Sequence, residues 1–319
     1  QLLTAVRQIN GAYTRTEGTY LPGYLPQSNL IGIDLERNAP GFGFLFGSQG
    51  DILTKAIQKN WLTKDTLQNK QFVRTYSENI SGIIHLEPIK NMKLDLIFSR
   101  IENYNKYSTT TFNEKEARFL HSIPYITGNY SISQIALHSS FHNNAAHFEE
   151  FNNKKQEVSL ALAQHNINSV GISSDFFADG YGKNQQDVVL NSFWQTYYRK
   201  RKINLNIKPT FPLPNWRIKY NGLVALLSIS DLIQSINITH AYQSLYLITG
   251  YSSNVLLKEQ DGTVYSRDYE NNFSPKINYS AIAITDRFTP LVGIDLRFKN
   301  DLSISTEYRQ AKDIRLSLN

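Results

Sequence analysis

VGIDLRFKNDLSISTEY, residues Val292 to Tyr308, carries two β-strands and the turn between them in its side-chain alternation. Val292, Ile294, Leu296 and Phe298 are apolar at even positions, while Asp295, Arg297 and Lys299 are charged at odd ones. Lys299-Asn300-Asp301 breaks the run. Leu302, Ile304, Thr306 and Tyr308 then resume on even positions, against Ser303, Ser305, Glu307 and Arg309. Side chains change face at every residue of a strand, so the two segments make an oily face backed by a charged one. An odd-length loop keeps Phe298 and Leu302 on the same face. Soluble sheets also keep one wet face. Here that face carries Asp, Arg, Glu and Arg, and the other reads as lipid contact, with Tyr308 placed toward an aromatic girdle.

A second hairpin has the same form. Gly82, Ile84 and Leu86 alternate with Ser81, His85 and Glu87; Pro88-Ile89-Lys90-Asn91 turns; Leu94, Leu96 and Phe98 alternate with Lys93, Asp95 and Ser99. Its second strand continues through Tyr104 toward Phe112, far beyond the ~5–6 residues usual in globular sheets. Ala5 to Thr16, Leu30 to Arg37, Trp216 to Gly222, Ile233 to Tyr251 and Ile277 to Phe298 are further expected strands. In the fourth of these Ile236, Ile238, Tyr242, Tyr246 and Ile248 share a parity, with Leu245 and Leu247 on the other face. That makes roughly eight strands, too few to enclose a wide pore and right for a segment of one. The expected fold is mainly β: an antiparallel segment of a large transmembrane β-barrel with a helical soluble insert.

Glu114 to Pro212 is the insert. Ile132, Ile135, Ala136 and Ser139 recur at helical spacing, Val158, Leu160, Ala161 and Leu162 follow a charged run, and Val188 to Tyr197 form an i, i+3, i+4 stripe after Asp187. A smaller helix is expected from Asp51 to Leu62, with Ile52, Leu53, Ala56 and Trp61 as its apolar side. The chain thus divides into 1–112, barrel strands with a Gly/Phe-rich loop and short helix; 113–212, a helix-rich cap; and 213–319, further barrel strands.

The 319 residues carry 33 Lys plus Arg against 27 Asp plus Glu, a net charge of +6 spread along the chain. The densest basic run, Arg199-Lys200-Arg201-Lys202, reads as a solvated helix end, so no nucleic-acid partner is expected. The absence of cysteine excludes disulfides, thiolate zinc sites and cysteine nucleophiles. With 19 Tyr and 17 Phe against one Met, aromatic usage resembles that of bacterial outer-membrane barrels. No apolar run reaches the ~18 residues of a membrane helix. The opening on Gln1 and the ending inside the alternating run Ile314, Leu316, Leu318 suggest a piece of something longer.

Catalytic signatures are not found. Gly41-x-Gly43 lacks the third glycine of a dinucleotide fingerprint, and Gly180-Tyr181-Gly182-Lys183-Asn184 has Asn184 where a phosphate loop places Ser or Thr. His138 and His142 stand at i, i+4 near His147 and Glu149, but no HExxH accompanies them, and polar helix-face histidines are the simpler reading. No GxSxG elbow occurs. No enzyme activity, metal or cofactor is expected.

The unusual local sequences occur in a fixed order: Gly18-Thr19-Tyr20-Leu21-Pro22-Gly23; Ala39-Pro40-Gly41-Phe42-Gly43-Phe44-Leu45-Phe46-Gly47-Ser48-Gln49; Leu86-Glu87-Pro88-Ile89; Gly180-Tyr181-Gly182-Lys183-Asn184-Gln185-Gln186-Asp187-Val188; Pro212-Leu213-Pro214-Asn215-Trp216-Arg217-Ile218; Thr239-His240-Ala241-Tyr242; and Pro290-Leu291-Val292-Gly293-Ile294-Asp295. Together they resemble the translocon barrel of the type IX secretion system, the SprA or Sov family of Bacteroidota. The resemblance implies part of a very large outer-membrane barrel that exports folded cargo proteins. It also implies contact with outer-membrane lipid, a PorV-type partner barrel and a periplasmic plug protein. Much of the family's barrel would lie outside these strands, which leaves a sealed pore from this chain alone in doubt.

Within that expectation Lys93, Asp95, Asp295, Arg297, Glu307 and Arg309 face an aqueous lumen. The short connections Pro88–Asn91, Lys299–Asp301 and Leu226–Asp231 lie at one, periplasmic end. Asn38–Lys70, Asn113–Pro212 and Ser253–Lys276 lie at the other. A free edge is expected on the first and last strands. Another outer-membrane channel or receptor barrel, or a secreted aromatic-rich glycan-binding β protein, are the competing readings.

Overall fold

A computed structural model describes residues 5–29, 31–48, 50–137, 144–198, 207–227, 229 and 231–318. Leu30, Gln49, His138, Ser139, His142 and the basic run Arg199 to Lys202 lie outside the described residues.

Among the described residues nine strands form one antiparallel sheet. Its main path is β1 (Val6–Tyr20), β2 (Gln71–Leu86), β3 (Met92–Asn113), β5 (Tyr125–Ser133), β7 (Ile233–Ser253), β10 (Ile277–Phe298) and β11 (Ser303–Ser317). The short β4 (Arg118–His121) pairs with β3, and β6 (Asn215–Tyr220) pairs with both β3 and β7. β8 (Glu259–Gln260) and β9 (Thr263–Val264) make a separate hairpin. The helices are α1 (Phe42–Leu45), α2 (Ile52–Gln58), α3 (Asn144–Ala163), α4 (Gln186–Tyr198) and α5 (Leu223–Leu227). The path ends at β1 and β11, so the expected terminal strands are present and no barrel closure is described.

The chain forms two compact units, one of residues 1–13, 79–101 and 129–319, the other of 14–78 and 102–128. These units do not follow the three sequence spans.

In the second unit, Ala39, Ile52, Ala56, Trp61, Leu62 and Phe72 form the core, with Phe44 and Phe119 packed against it. Asp51 caps α2 by accepting from the Thr54 N–H at 3.1 Å. The expected helix is therefore present but shorter, and Trp61 and Leu62 enter the core beyond its end. Of the strand expected over Leu30 to Arg37, the described residues 31–37 form turns and isolated bridges. The Asp34 carboxylate accepts from the Arg37 N–H at 3.0 Å, and Gly32 and Asn38 take positive φ of 82° and 48°. Local side-chain bonding and left-handed backbone defeat the alternation there.

The sequence reading fails over the opening of the insert. Residues 113–133 continue the sheet as the end of β3, β4 and β5, and the helical spacing of Ile132 and Ala136 belongs to a strand end and the coil after it. The excursion from the sheet runs from Gln134 to Pro214. It leaves and returns within one lane, because β5 and β6 share the space between β3 and β7. The Leu213 N–H donates to Ser133 O at 2.9 Å, and Ser133 Oγ donates to Leu213 O at 2.8 Å.

Two helices of the excursion do form where expected. In α4, Val188, Val189, Leu190, Phe193 and Trp194 are all buried. Trp194 lies against Tyr246 of β7 with ring centroids 4.7 Å apart, and Tyr242, Ile248, Ile282 and Ile284 of the same sheet are fully buried. A second cluster joins Val158 and Leu162 of α3 to Phe177, Tyr181, Val188 and Phe273.

Candidate functional site

The register of five strands decides which residues share a face, since directly paired residues of an antiparallel sheet point to the same side. Leu94 pairs with Ile218 and Leu96 with Trp216; Trp216 pairs with Tyr242 and Tyr220 with Ile238. Ile238 pairs with Ile294 and Ile236 with Leu296; Ile294 then meets Thr306, Leu296 meets Ile304, and Val292 meets Tyr308. Between the Lys299–Asp301 turn and the bulge, one face across β3, β6, β7, β10 and β11 is therefore apolar, interrupted by His240 and Thr306; beyond the bulge the same face also carries Ser244, Asp286, Gln310 and Lys312.

The intervening residues make the other face. Lys93 pairs with Lys219 and Asp95 with Arg217; Asn237, Asp295 and Ser305 form one row, and Ser235, Arg297 and Ser303 the next. Glu307 pairs with Gly293, and Arg309 shares its parity. The six polar-face residues named from sequence thus lie on the face opposite Leu94, Leu96 and Ile294. They act in small local pairs: His85 Nδ1 lies 2.7 Å from Asp95, Ser305 Oγ donates to Asp295 at 2.5 Å, Arg309 Nε donates to Glu307 at 2.8 Å, and Arg297 Nη2 to Asp301 at 3.3 Å. Sequence reasoning passed over Arg217, Lys219 and Asn237. The alternation Trp216-Arg217-Ile218-Lys219-Tyr220 already carries the signal for the first two.

Lys93 and Lys219 stand directly opposite each other, an arrangement that repels. With Arg7 and Lys90 they line a concavity of about 620 Å³ beside the Pro88–Asn91 turn, and Glu87 engages Arg7 at 2.8 Å. This end of the unit is basic.

The apolar face is not uniformly covered. Toward the middle of β7 and β10 it is buried beneath α4. Toward the Lys299–Asp301 turn Val292 is 46% exposed, Leu302 53%, Ile304 46% and Tyr308 62%. The two halves meet at a bulge between Phe288 and Val292, where Pro290 cannot donate to the ladder. Gly293 follows it because a Cβ there would lie 2.3 Å from Thr239 Oγ1.

The turns sort by end. The Asn221 N–H donates to Asn91 O at 3.0 Å, and the Lys299 N–H to Leu232 O at 3.2 Å, so the three connections neighbour one another along the same edge of the unit. The third is not the expected tight turn, since α5 runs into its start. The excursion and the Ser253–Lys276 loop pack together at the other end of β7 and β10. The Phe273 N–H donates to Gly180 O at 2.8 Å, Gln186 Nε2 donates to Ile277 O at 2.7 Å, and Arg267 grips both oxygens of Asp179 at 2.8 and 2.6 Å. Asn38–Lys70 belongs to the other unit.

The sequence motifs fall in packing positions. A Cβ at Gly18 would come 2.6 Å from Thr75 Oγ1, and one at Gly23, where φ is 71°, would come 2.7 Å from Thr63 Cγ2. Tyr20 is exposed, and Pro22 begins the turn after β1. Pro40 and Gly41 lead into α1, so Phe42 and Gly43 are helical rather than alternating, and Gly47 closes the turn at φ 91°. Gly180 and Gly182 pack under Phe273 and Asn272; Lys183 and Asn184 are exposed on the turn into α4, and Asp187 lies in its first turn. Pro214 precedes β6, where buried Asn215 accepts the Ser244 N–H at 2.8 Å, and the Trp216 ring lies 4.5 Å from that of Tyr242. His147 and Glu149 sit in α3, His147 beside Glu150 at 3.6 Å.

The Arg267 hydrogen bonds hold the Asp179 carboxyl below its usual range. A lowered folded pKa contributes stability above the unfolded value and loses it as pH falls through the folded one. Cap stability should therefore drop below about pH 4. Asp179→Asn should cost about 1 kcal/mol at pH 7, the partly exposed pair being screened, and flatten this acid limb. Hydrogen exchange in residues 166–182 at pH 7 and pH 3 reads both effects.

No family model and no curated protein matches this chain.

Proposed function

We propose that this chain is a segment of an outer-membrane transport barrel, its apolar face in lipid and its charged face lining an aqueous path. The supporting observation is the row-by-row segregation across five strands between the bulge and the Lys299–Asp301 turn, with the apolar side exposed on the β10–β11 hairpin. A strand of 22 residues such as β10 extends about 70 Å at ~3.3 Å per residue. A hydrocarbon band needs only about 9–11 tilted residues. The half near the Lys299–Asp301 turn supplies that band, and the remainder stands clear of the membrane, where α4 covers its apolar face. The ends of the sheet at β1 and β11 carry backbone groups that must be paired in lipid, so further strands complete the barrel.

The ordered motifs make the type IX secretion translocon, SprA or Sov, the preferred parent assembly. In that setting the short turns face the periplasm, the cap faces outward where folded cargo leaves, and a PorV-type barrel and a plug protein are the partners. The function is passage of protein, with no catalytic step and no cofactor.

Fractionation tests the membrane assignment. The chain should stay with bacterial outer membranes through alkaline and urea washes and require detergent for release. Recovery in the aqueous fraction would favour the glycan-binding reading. On intact cells, a membrane-impermeant label should reach a cysteine introduced at Gly262 and miss one introduced at Asn300; the reverse pattern would overturn the sidedness.

A further inference from the structure

A cavity of about 260 Å³ opens inside the first unit, between the end of α3, the start of α4 and the loop joining β7 to β10. Leu162 and the rings of Tyr181, Phe273 and Tyr279 supply its walls, and Asp187 supplies one carboxylate. Tyr181 and Phe273 stand 5.2 Å apart between ring centroids.

Among the described residues, Asp187 accepts one side-chain hydrogen bond, from Gln185 Nε2 at 3.2 Å. Burial pushes its carboxyl up, and its charge adds to burial in raising the Tyr181 phenol. The residue as a whole is only partly buried, and it lines the cavity. The basic groups at the rim are engaged elsewhere. Lys276 Nζ reaches Glu259 at 2.7 Å, and His165 Nδ1 lies 3.0 Å from Ala161 O. A desolvated carboxylate among aromatic faces attracts a cation with an apolar stem, because the rings favour positive charge and the carboxylate pairs with it. The volume falls below the ~300–1,000 Å³ of small-molecule sites and suits one extended side chain.

We propose that this cavity is a docking site for a single basic side chain, lysine or arginine, presented by a polypeptide that contacts the cap. The aromatic walls hold the methylene stem, and Asp187 receives the ammonium or guanidinium. The site stands independently of the membrane assignment.

The test titrates the detergent-solubilised full chain with n-butylammonium and n-butylguanidinium, with n-butanol and butyrate as neutral and anionic controls, followed by NMR of the Tyr181 and Tyr279 rings. Both cations should bind at least tenfold more tightly than either control. Asp187→Asn should remove that preference, and Thr263→Trp, which narrows the mouth and spares the α4 start, should weaken the cations at least tenfold. Binding should fall as acid protonates Asp187, and should do so equally in His165→Gln. A capped Gly-Gly-Lys-Gly-Gly peptide should bind, and its norleucine counterpart should not. Equal binding of butanol, undiminished cation binding by Asp187→Asn in a chain with unchanged circular dichroism, or failure of the lysine peptide would each overturn the proposal.

Discussion

Gly180→Ala is expected to destabilise the cap by roughly 2–5 kcal/mol, combining the penalty of a left-handed alanine with that of overpacking. Gly180 has φ of 77°, and a Cβ would lie 2.3 and 2.4 Å from Phe273 ring carbons. That ring cannot retreat, since Phe273 is buried at 2% exposure and its N–H donates to Gly180 O. The loss should appear as faster protease cleavage within residues 144–198 and faster exchange of the α4 amides. Adding Phe273→Leu should recover part of it by relieving the clash while leaving the backbone strain. An unaffected cap in Gly180→Ala would mean that Phe273 does not close over this turn.

Ile304→Arg is expected to lower folding stability in lipid vesicles by about 2–4 kcal/mol if the site is near the bilayer midplane, less toward an interface. The control is its neighbour. Ser303→Arg lies on the face of Asp295 and Arg297, and because it stands opposite Arg297 it should cost up to about 1 kcal/mol through like-charge repulsion in water. Urea midpoints of the two variants in vesicles measure the difference. Equal effects, or a larger loss at Ser303, would remove the basis for assigning the Val292–Ile304 face to lipid.

The hairpins were legible because one face is oily and the other charged over many consecutive residues, and period two then has no competitor. Val292 to Tyr308 and Leu94 to Phe98 needed only that rule, and register carried the same two faces across β6 and β7. Leu30 to Arg37 shows its limit: three alternating apolar residues cannot outweigh an Asp34 side-chain turn and left-handed backbone on both sides. At the end of β5 the error has another source. Ile132 and Ala136 are both buried, one in the strand and one after it, where the Ala136 N–H donates to Tyr242 Oη at 3.0 Å. Burial from two different causes reproduced a helical interval. The Asp187 cavity was illegible because its aromatic walls come from positions as distant as Tyr181 and Tyr279. The sequence motif held the carboxylate and Tyr181 without Phe273 or Tyr279.

The shared lane of β5 and β6 separates two properties of the cap. Ser133 and Leu213 are bonded neighbours, 80 positions apart in the chain, so the sheet closes over the point of departure and its register is indifferent to how much polypeptide lies between them. Trp194 on Tyr246, by contrast, anchors that polypeptide to one place on the wall. The length of the excursion and the place where it meets the sheet are therefore set by different residues: Ser133 and Leu213 seal its exit, and α4 fixes its seat.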